Sequence, residues 1–364
     1  MPVEILDVAG LVPGASEGAG LGNRFLNDLR SAHVLLHVID ASGMTNEKGE
    51  STSGYDPLKD VAWLRQELHQ WILGNLRKKW PSLIRRQTNN KLSNPKALHV
   101  QLAGYGVTLD LVRQVFHSIP GGDEEGQLHA GIKRLSLREW QQEHQDAFVE
   151  SFLAVRFPTI LVLNKADAGS ADTNIARITR QFCDDQIVIS SAKAECTLKR
   201  LSEQRYVHYL PGSDTLLTAV APDPSDEFYL PDDAETAATR ATLRLPDPAT
   251  LKRIERITDL ILFRHGGTGT QLAIQKAVDK VNFVPVFPVK NLKTFSSSDK
   301  NNGAFRDCFL VRPGSTLTDL AKLWHPGSSN ALIFAEDFEG RRLPNDYVIT
   351  NSDKGMIIRL VVAQ

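Results

Sequence analysis

Three short groups of polar and small residues in this sequence stand at the ends of apolar runs that are typical of β-strands. The groups are Asp7 with Gly10, Asn164-Lys165-Ala166-Asp167, and Ser191-Ala192-Lys193. In open α/β sheets, ligands bind outside the carboxyl ends of the strands. The three groups therefore predict one ligand site at one edge of a sheet.

The second group, which follows the apolar residues 159–163, has the chemistry needed to recognise a guanine base. The Asp167 carboxylate can accept hydrogen bonds from the N1 and N2 hydrogens of guanine, a pair of donors that adenine does not present in that arrangement. The Asn164 amide suits N7, and the aliphatic stem of Lys165 can pack on the plane of the base. A site built for one set of donors rejects an analogue that lacks it by several kcal/mol.

The first group suits the phosphate end of such a ligand. The Asp7 carboxylate can reach a phosphate-bound Mg²⁺, usually through water, and the Gly10 amide can donate to a terminal phosphate. Glycines follow at positions 14, 18, 20 and 22. They suit a segment whose backbone changes conformation when a phosphate leaves. Taken alone, the segment is also compatible with an ordinary glycine-rich turn after a strand.

The apolar runs around these groups predict an α/β fold with a parallel, Rossmann-like sheet. Residues 4–10 predict a short strand and residues 23–31 a helix. The near-continuous apolar run at 34–40 predicts a strand buried on both faces, with His37 as a core histidine. Strands at 159–163 and 187–189, with a helix at 174–182, continue the alternation of strand and helix.

Residues 46–157 interrupt this alternation and predict a helical insertion. Asp56-Pro57 is typical of a helix start, and apolar residues then recur at helical spacing up to Trp80. Further helices are predicted at 108–118 and from the capping box Ser136-x-x-Glu139 to residue 155. The basic cluster of Arg77-Lys78-Lys79 with Arg85-Arg86 has two interpretations, a solvated helix end or an RNA contact.

The last third of the chain predicts helices and then a small β-domain. Loops and short helices are expected over 197–245, and longer helices at 246–263 and 271–281. Between those two helices, the glycine-rich residues 265–270 lack G-x-x-x-x-G-K-[ST] and a preceding strand, which favours a turn over a phosphate loop. Strands at 284–289, 306–311, 332–334, 341–343 and 356–362, with a helix at 317–323, outline a ubiquitin-like β-grasp.

Composition excludes several classes of protein. Hydrophobic residues make up 41% and charged residues 23% of the 364 residues, as in a globular protein. The formal net charge of −1 gives no global attraction to nucleic acid or membrane. The three cysteines lack C-x-x-C spacing, the apolar runs are too short to span a bilayer, and no signal peptide is evident. We therefore expect a cytoplasmic protein without a membrane segment.

Taken together, the residues resemble the Obg-type GTPases, and most closely the YchF-related branch that carries a C-terminal TGS domain. The resemblance lies in DVAGLVPGASEGAGLGNRFL (residues 7–26), NKAD (164–167), SSAK (190–193), HGGTGTQLAI (265–274) and the β-grasp outline. It implies an Obg-type GTPase domain over 1–45 and 158–282, the helical insertion over 46–157, and a TGS-like domain over 283–364. YchF itself departs from the guanine motif, whereas this chain keeps it, which implies GTP.

The resemblance also implies roles for individual residues. GTP and Mg²⁺ would be the ligands, with Asp7 toward the metal and Gly10 toward the phosphate. In the Ser191-Ala192-Lys193 motif, the Ala192 amide would face guanine O6 and Ser191 would support the aspartate. Leu11 stands where Ras-like enzymes have the glutamine that orients the attacking water, so no catalytic side chain is assigned. Slow hydrolysis, stimulated by a partner, is the expectation.

One expected part of such a protein does not occur in the printed sequence. A complete member would carry a strand, the phosphate-binding G-x-x-x-x-G-K-[ST] loop, a helix and a first switch before Glu4, and a single βαβ unit takes about 30 residues. The sequence therefore predicts a truncated P-loop GTPase fold, with impaired nucleotide binding and low stability when isolated.

Two functions of different classes are compatible with these observations. The first is a GTP-binding protein of the Obg/YchF type, acting in translation or on the ribosome. The second is a non-catalytic module that contacts ribosome or RNA through the insertion and the TGS-like domain, with a vestigial nucleotide site. Saturable binding of GTP that depends on Asp167 would discriminate between them.

Overall fold

The computed structural model describes residues 3–8, 29, 31–47, 49–119, 132–221, 233–281, 283–296, 303–324 and 332–362. The chain divides into two compact units, each described here by itself. The large unit is Val8–Ala277, and the C-terminal unit is Val278–Gln364 together with Met1–Asp7. Among the described helices, none combines the length and apolarity that crossing a bilayer requires.

The large unit contains a parallel sheet of three strands in the order β1-β2-β3. The strands are β1 (Leu35–Asp40), β2 (Thr159–Asn164) and β3 (Ile187–Ile189). The register sets Asp40 opposite Asn164, and Leu163 opposite Ile189. All three strands therefore end at the same edge, and the predicted parallel sheet is confirmed.

Strand β1 is less buried than the sequence predicted. Ile39 is 1% exposed, but Val38 is 59% exposed, so the expectation of a strand covered on both faces is wrong. Within the described residues β1 pairs with β2 alone, whereas β2 has a neighbour on each side. An apolar run indicates that a strand belongs to a sheet, but its neighbours decide how much of it is covered.

The strand predicted over residues 4–10 is not observed in its described part. Residues 3–8 form no regular element, and residues 3–7 are exposed. A strand requires a ladder partner for its backbone groups, and no described residue provides one. The rest of that prediction lies outside the described residues. So does most of the helix predicted over 23–31, of which Leu29 and Ser31 are described as helical.

Between β1 and β2 the chain forms the helices α1 (Leu58–Asn89), α2 (Asn94–Leu102), α3 (Leu109–Ser118) and α4 (Gln142–Arg156). These helices bury a common apolar core that includes Ile72, Leu98, Val112, Phe148 and Phe152. The predicted starts near Asp56-Pro57 and Thr108 are confirmed. Helix α2 was not predicted, because its inward residues are few, although Ser93 and Pro95 provide a helix start.

The helix predicted from the Ser136 capping box to residue 155 is interrupted. Ser136 and Glu139 do form the capping box, but it caps one turn of 3-10 helix, Leu137–Glu139. The backbone is extended at Trp140 and Gln141 before α4 begins. Trp140 is 5% exposed and stacks on Trp80 at 5.8 Å. Burial of this indole in the helical core therefore accompanies the break.

Helices α5 (Ala171–Thr179) and α6 (Ala192–Glu203) follow β2 and β3 in the chain. A two-stranded hairpin of β4 (Val207–His208) and β5 (Leu217–Thr218) comes next, with α7 (Ala234–Ala241) after it. Helix α8 (Pro248–Ile257) continues into one wider π-helical segment, Thr258–Phe263, and α9 spans Thr270–Lys280. The turn predicted within residues 265–270 is observed at residues 266–269, between two helical segments.

The C-terminal unit contains a mixed five-stranded sheet in the order β7-β6-β10-β8-β9. Its strands are β6 (Val284–Val289), β7 (Phe309–Val311), β8 (Leu332–Asp337), β9 (Arg342–Leu343) and β10 (Met356–Val362). Strand β10 runs parallel to β6 and antiparallel to β8. Helix α10 (Leu317–Trp324) buries Leu317, Leu320 and Ala321 in the same core. Hairpin, helix and further strands follow one another as predicted.

Candidate functional site

The carboxyl ends of the parallel strands form the edge at which most predicted site residues meet. Asp40 ends β1, Asn164 ends β2 beside it, and Ser190 follows β3 directly. The Ser190 amide donates to the Leu163 carbonyl at 2.9 Å, and the Ala166 amide donates to the Ser190 carbonyl at 3.1 Å. These bonds extend the contact between β2 and β3 into the loops and hold residues 164–167 against residues 190–193.

Asp167 is oriented by a hydrogen bond from a fully buried serine. The Ser191 hydroxyl donates to Asp167 Oδ1 over 2.7 Å, and Ser191 is 0% exposed. The same hydroxyl accepts from the Ala194 amide at 3.1 Å, which makes Ser191 the N-cap of α6. Because one hydroxyl makes both bonds, the Ser191 side chain has a fixed orientation. Lys193 lies 3.7 Å from Asp167 Oδ2, an exposed ion pair of small energetic value.

Asn164 is joined to the first residue of α6. Its Oδ1 accepts from the Ala192 amide at 3.0 Å. Because the side-chain oxygen faces Ala192, the NH2 end of the Asn164 amide is directed away from α6. The Ala192 amide, to which the family resemblance assigns contact with guanine O6, donates to Asn164 in this structure. Its contact with a base therefore stays a prediction.

Lys165 is held by Asp40. Its backbone is left-handed, with φ of 65°, a conformation that is uncommon outside glycine. Its ammonium donates to Asp40 Oδ2 at 2.8 Å, and Asp40 also accepts from Ser42 and Thr45. Burial raises the pKa of Asp40, but the hydrogen bonds from Lys165, Ser42 and Thr45 outweigh it and lower the pKa from 3.8 to about 2. An ionised Asp40 thus fixes the head of the Lys165 side chain.

Sequence reasoning missed Asp40, although a signal existed. Asp40 ends an apolar strand just as Asn164 does, and polar side chains at neighbouring strand ends lie together in a parallel sheet.

Sequence reasoning also missed residues 265–270 as part of this edge. The Thr268 carbonyl accepts from the Ser191 amide at 2.9 Å. A Cβ on Gly269, where φ is +77°, would overlap the Ile189 carbonyl, so the close approach requires glycine.

The roles of Asp7 and Gly10 at the phosphate end of a ligand stay predictions. Asp7 is exposed and belongs to the C-terminal unit, and Gly10 lies outside the described residues. Within the described ranges, no three His, Cys, Asp or Glu side chains form a metal-binding cluster. A single carboxylate still fits Mg²⁺, because that ion commonly takes one or two carboxylates together with substrate phosphates and waters.

The observed geometry provides a planar carboxylate at a fixed strand-end loop. Oδ1 of Asp167 receives the Ser191 hydroxyl, and a carboxylate has further lone pairs on both oxygens for two parallel N–H donors. The Asn164 NH2 group, oriented by Ala192, adds a donor nearby in the same loop. The two carboxylate oxygens complement N1–H and N2–H on the Watson–Crick edge of guanine, and the amide donor complements N7 on the other side of the base. Adenine has neither N1–H nor a 2-amino group and does not complement the carboxylate.

Comparisons with known proteins point to one family. Residues 162–291 match the Obg-like GTPase YGR210-like, G4 motif-containing domain. A protein of Schizosaccharomyces pombe, described as an uncharacterized GTP-binding protein, is 39% identical over 92% of this chain and 74% of its own length. Another so described, from Methanocaldococcus jannaschii, is 33% identical over 100% of this chain and 81% of its own length.

A solved structure has a similar fold. The crystal structure of a GTP binding protein from Pyrococcus horikoshii OT3 superimposes with a TM-score of 0.59 and 26% identity. The match covers 93% of this chain and 81% of that chain. The matched family segment contains Asn164, Asp167 and Ser191, which the structure has brought together. The chain therefore belongs to the family of Obg-like GTP-binding proteins.

Proposed function

We propose that this protein binds guanine nucleotides, with GTP as its ligand, through the loops that follow β2 and β3. The observation that carries the proposal is the hydrogen bond from buried Ser191 to Asp167 Oδ1 at 2.7 Å. It holds a carboxylate where a base edge can reach it, at the carboxyl end of a parallel sheet. The family of the chain and the names of its relatives support the same ligand.

Recognition would follow from hydrogen-bond complementarity. The two oxygens of Asp167 would accept from N1–H and N2–H of guanine, and the Asn164 NH2 group would donate to N7. Adenine presents no hydrogen at N1 and would leave the carboxylate unpaired, which is costly in a partly desolvated site. Lys165, anchored at Asp40 by its ammonium, would offer its aliphatic stem to the base.

Binding of a fluorescent GTP analogue to the full chain tests this proposal. Asp167→Ala should weaken binding by about a hundredfold, because two hydrogen bonds to a charged group are lost. Asp167→Asn should weaken GTP binding similarly and favour xanthosine triphosphate. Xanthine keeps N1–H but carries an acceptor in place of the 2-amino group, which suits the mixed donor and acceptor of an asparagine. Equal binding of GTP by wild type and Asp167→Ala would refute the proposal.

Mg²⁺ and GTP hydrolysis belong to the same proposal. Asp7 would hold Mg²⁺ together with the nucleotide phosphates, and the ion would neutralise phosphate charge. The exposed carboxylate of Asp7 is chemically suited to that role. Leu11 carries no polar group to orient water, so turnover should be slow without a partner. If Asp7 contributes, GTP affinity should depend on Mg²⁺ in wild type and less so in Asp7→Ala.

We also propose a role in translation, through contact of the C-terminal unit and the helical insertion with ribosome or RNA. The order of hairpin, helix and strands in the C-terminal unit supports it, since it matches the outline expected of a TGS-like domain. Co-sedimentation of the purified chain with ribosomes, in GTP and in GDP, tests it. Nucleotide-dependent co-sedimentation is the expected result. Co-sedimentation that is equal in GTP and in GDP, and that persists in Asp167→Ala, would favour the non-catalytic interaction module.

A further inference from the structure

The turn at residues 266–269, within the glycine-rich segment 265–270, lies directly against the end of β3. Its Thr268 carbonyl accepts from the Ser191 amide at 2.9 Å. Gly269 approaches the Ile189 carbonyl so closely that a Cβ would overlap it. Gly267 is buried as well, and a Cβ there would lie 3.4 Å from the Ser213 carbonyl. The turn is therefore packed against the backbone that positions the SSAK loop, rather than exposed between two helices.

A buried carboxylate joins the side chain of this turn to α6. Glu195, in the first turn of α6, is 5% exposed, and Thr268 is 0% exposed. Glu195 Oε2 accepts from the Thr268 hydroxyl at 2.6 Å and from the Tyr209 hydroxyl at 2.8 Å. Lys199 lies 3.2 Å from Glu195 Oε1. A buried charge with this number of partners holds them in one arrangement, because loss of any bond leaves it undersatisfied.

This arrangement leads to the base-recognition carboxylate through Ser191. The Glu195 amide donates to the Ser191 carbonyl at 3.1 Å, while Thr268 receives the Ser191 amide. Thr268 thus fixes the backbone amide of Ser191, and Glu195 fixes its carbonyl. The Ser191 hydroxyl then donates to Asp167. A continuous set of hydrogen bonds runs from Thr268 through Glu195 and Ser191 to Asp167.

We propose that Thr268 and Glu195 are positioning residues for base recognition, which hold Ser191 so that Asp167 presents its oxygens to the 2-amino edge of guanine. The inference rests on the proposed binding of guanine nucleotides. It assigns a role to the glycine-rich turn that does not involve phosphate. The glycines permit the close approach, and the threonine between them makes the contact.

Competition of GTP and inosine triphosphate against a fluorescent GTP analogue tests the inference. The two nucleotides share their phosphates and differ at the 2-amino group, so the ratio of their dissociation constants reports on Asp167 and not on phosphate contacts. Wild type should prefer GTP. Thr268→Val should reduce that preference by about tenfold, because a misplaced Asp167 loses its hydrogen bond from the 2-amino group, which is one hydrogen bond to a charged group. Thr268→Ser keeps the hydroxyl and should retain the preference.

A merely structural role predicts a different result. Thr268→Val would then lower the melting temperature or weaken the binding of both nucleotides equally. An unchanged ratio of the two dissociation constants would overturn the inference. Thr179→Val is the matched control, since the Thr179 hydroxyl bonds to the Ile175 carbonyl within α5. If Thr268→Val does not fold, Tyr209→Phe removes the other hydroxyl from the same Glu195 oxygen. A reduced ratio in Tyr209→Phe supports the inference, and an unchanged one overturns it.

Failure of the inference and failure of the proposed function are distinguishable. If wild type binds GTP no better than Asp167→Ala, the guanine site itself is refuted and the positioning role falls with it. If wild type binds GTP in an Asp167-dependent way but Thr268→Val keeps the full preference over inosine triphosphate, the positioning role alone is wrong.

Discussion

Replacement of Ser191 by alanine should loosen the start of α6 and weaken nucleotide binding together. The Ser191 hydroxyl accepts from the Ala194 amide at 3.1 Å and donates to Asp167 at 2.7 Å. Loss of a serine N-cap costs about 0.5–2 kcal/mol. The bond to Asp167 adds about 1 kcal/mol, because that carboxylate is 26% exposed and water replaces part of the bond. The expected total is about 2 kcal/mol.

Amide hydrogen exchange measures this effect locally, which matters in a chain of two units whose unfolding need not be a single two-state transition. In Ser191→Ala, the Ala194 amide should exchange about thirtyfold faster, which corresponds to about 2 kcal/mol. Affinity for GTP should fall about tenfold, since Asp167 loses the donor that orients it.

Ser202→Ala is the matched control for this prediction. It makes the same substitution on α6, where no described hydrogen bond involves the Ser202 side chain, and it should leave the Ala194 amide protected. If Ala194 exchanges at the wild-type rate in Ser191→Ala, or accelerates equally in Ser202→Ala, the capping argument is refuted. If exchange accelerates while GTP affinity is unchanged, the hydroxyl caps the helix without orienting Asp167.

Three further changes test other parts of the large unit by urea unfolding. Burial lowers the pKa of His37 from 6.5 to about 4. The free energy of unfolding of the wild type should therefore fall by about 2–3 kcal/mol as pH falls from 6.5 to 4, and His37→Leu should not show this fall. The pKa of Asp40 is lowered from 3.8 to about 2. The free energy of unfolding should therefore fall by about 1–2 kcal/mol as pH falls from 3.8 to 2, and Asp40→Asn should remove this dependence on pH. Equal pH profiles for variant and wild type would contradict either prediction. Gly269→Ala should destabilise by about 1–3 kcal/mol more than Gly266→Ala, because both have positive φ but only Gly269 faces the Ile189 carbonyl; equal losses would show that backbone conformation alone matters.

Local pattern was enough to locate the parallel strands and the residues at their ends. Apolar runs at 34–40, 159–163 and 187–189 predicted three strands, and all three are observed. Because parallel strands end at one edge, the sequence alone predicts that the polar groups after β2 and β3 lie together. In the structure, Ser191 donates to Asp167, and Asn164 accepts from the amide of Ala192, the residue after Ser191. The motifs also identified the family.

Helix boundaries were predictable where a cap or proline marks them and less so where burial decides. Thr108 accepts from the Leu111 amide and starts α3 as expected. The Ser136 capping box formed as predicted, but the helix stopped after one turn. Trp140 lies in the helical core at that break. Capping is a local interaction within four residues, whereas the burial of an indole depends on side chains distant in sequence.

The sequence by itself determined which residues can recognise a base and at which strand ends they stand, because residue type and strand periodicity are local properties. The tertiary structure alone decided their partners. Asp40 meets Lys165 across 125 positions, and Thr268 meets Glu195 across 73. Such pairs form only when the sheet register and the packing of the 265–270 turn bring distant segments together. Hydrogen bonds between elements depend on that packing, and no local pattern encodes it.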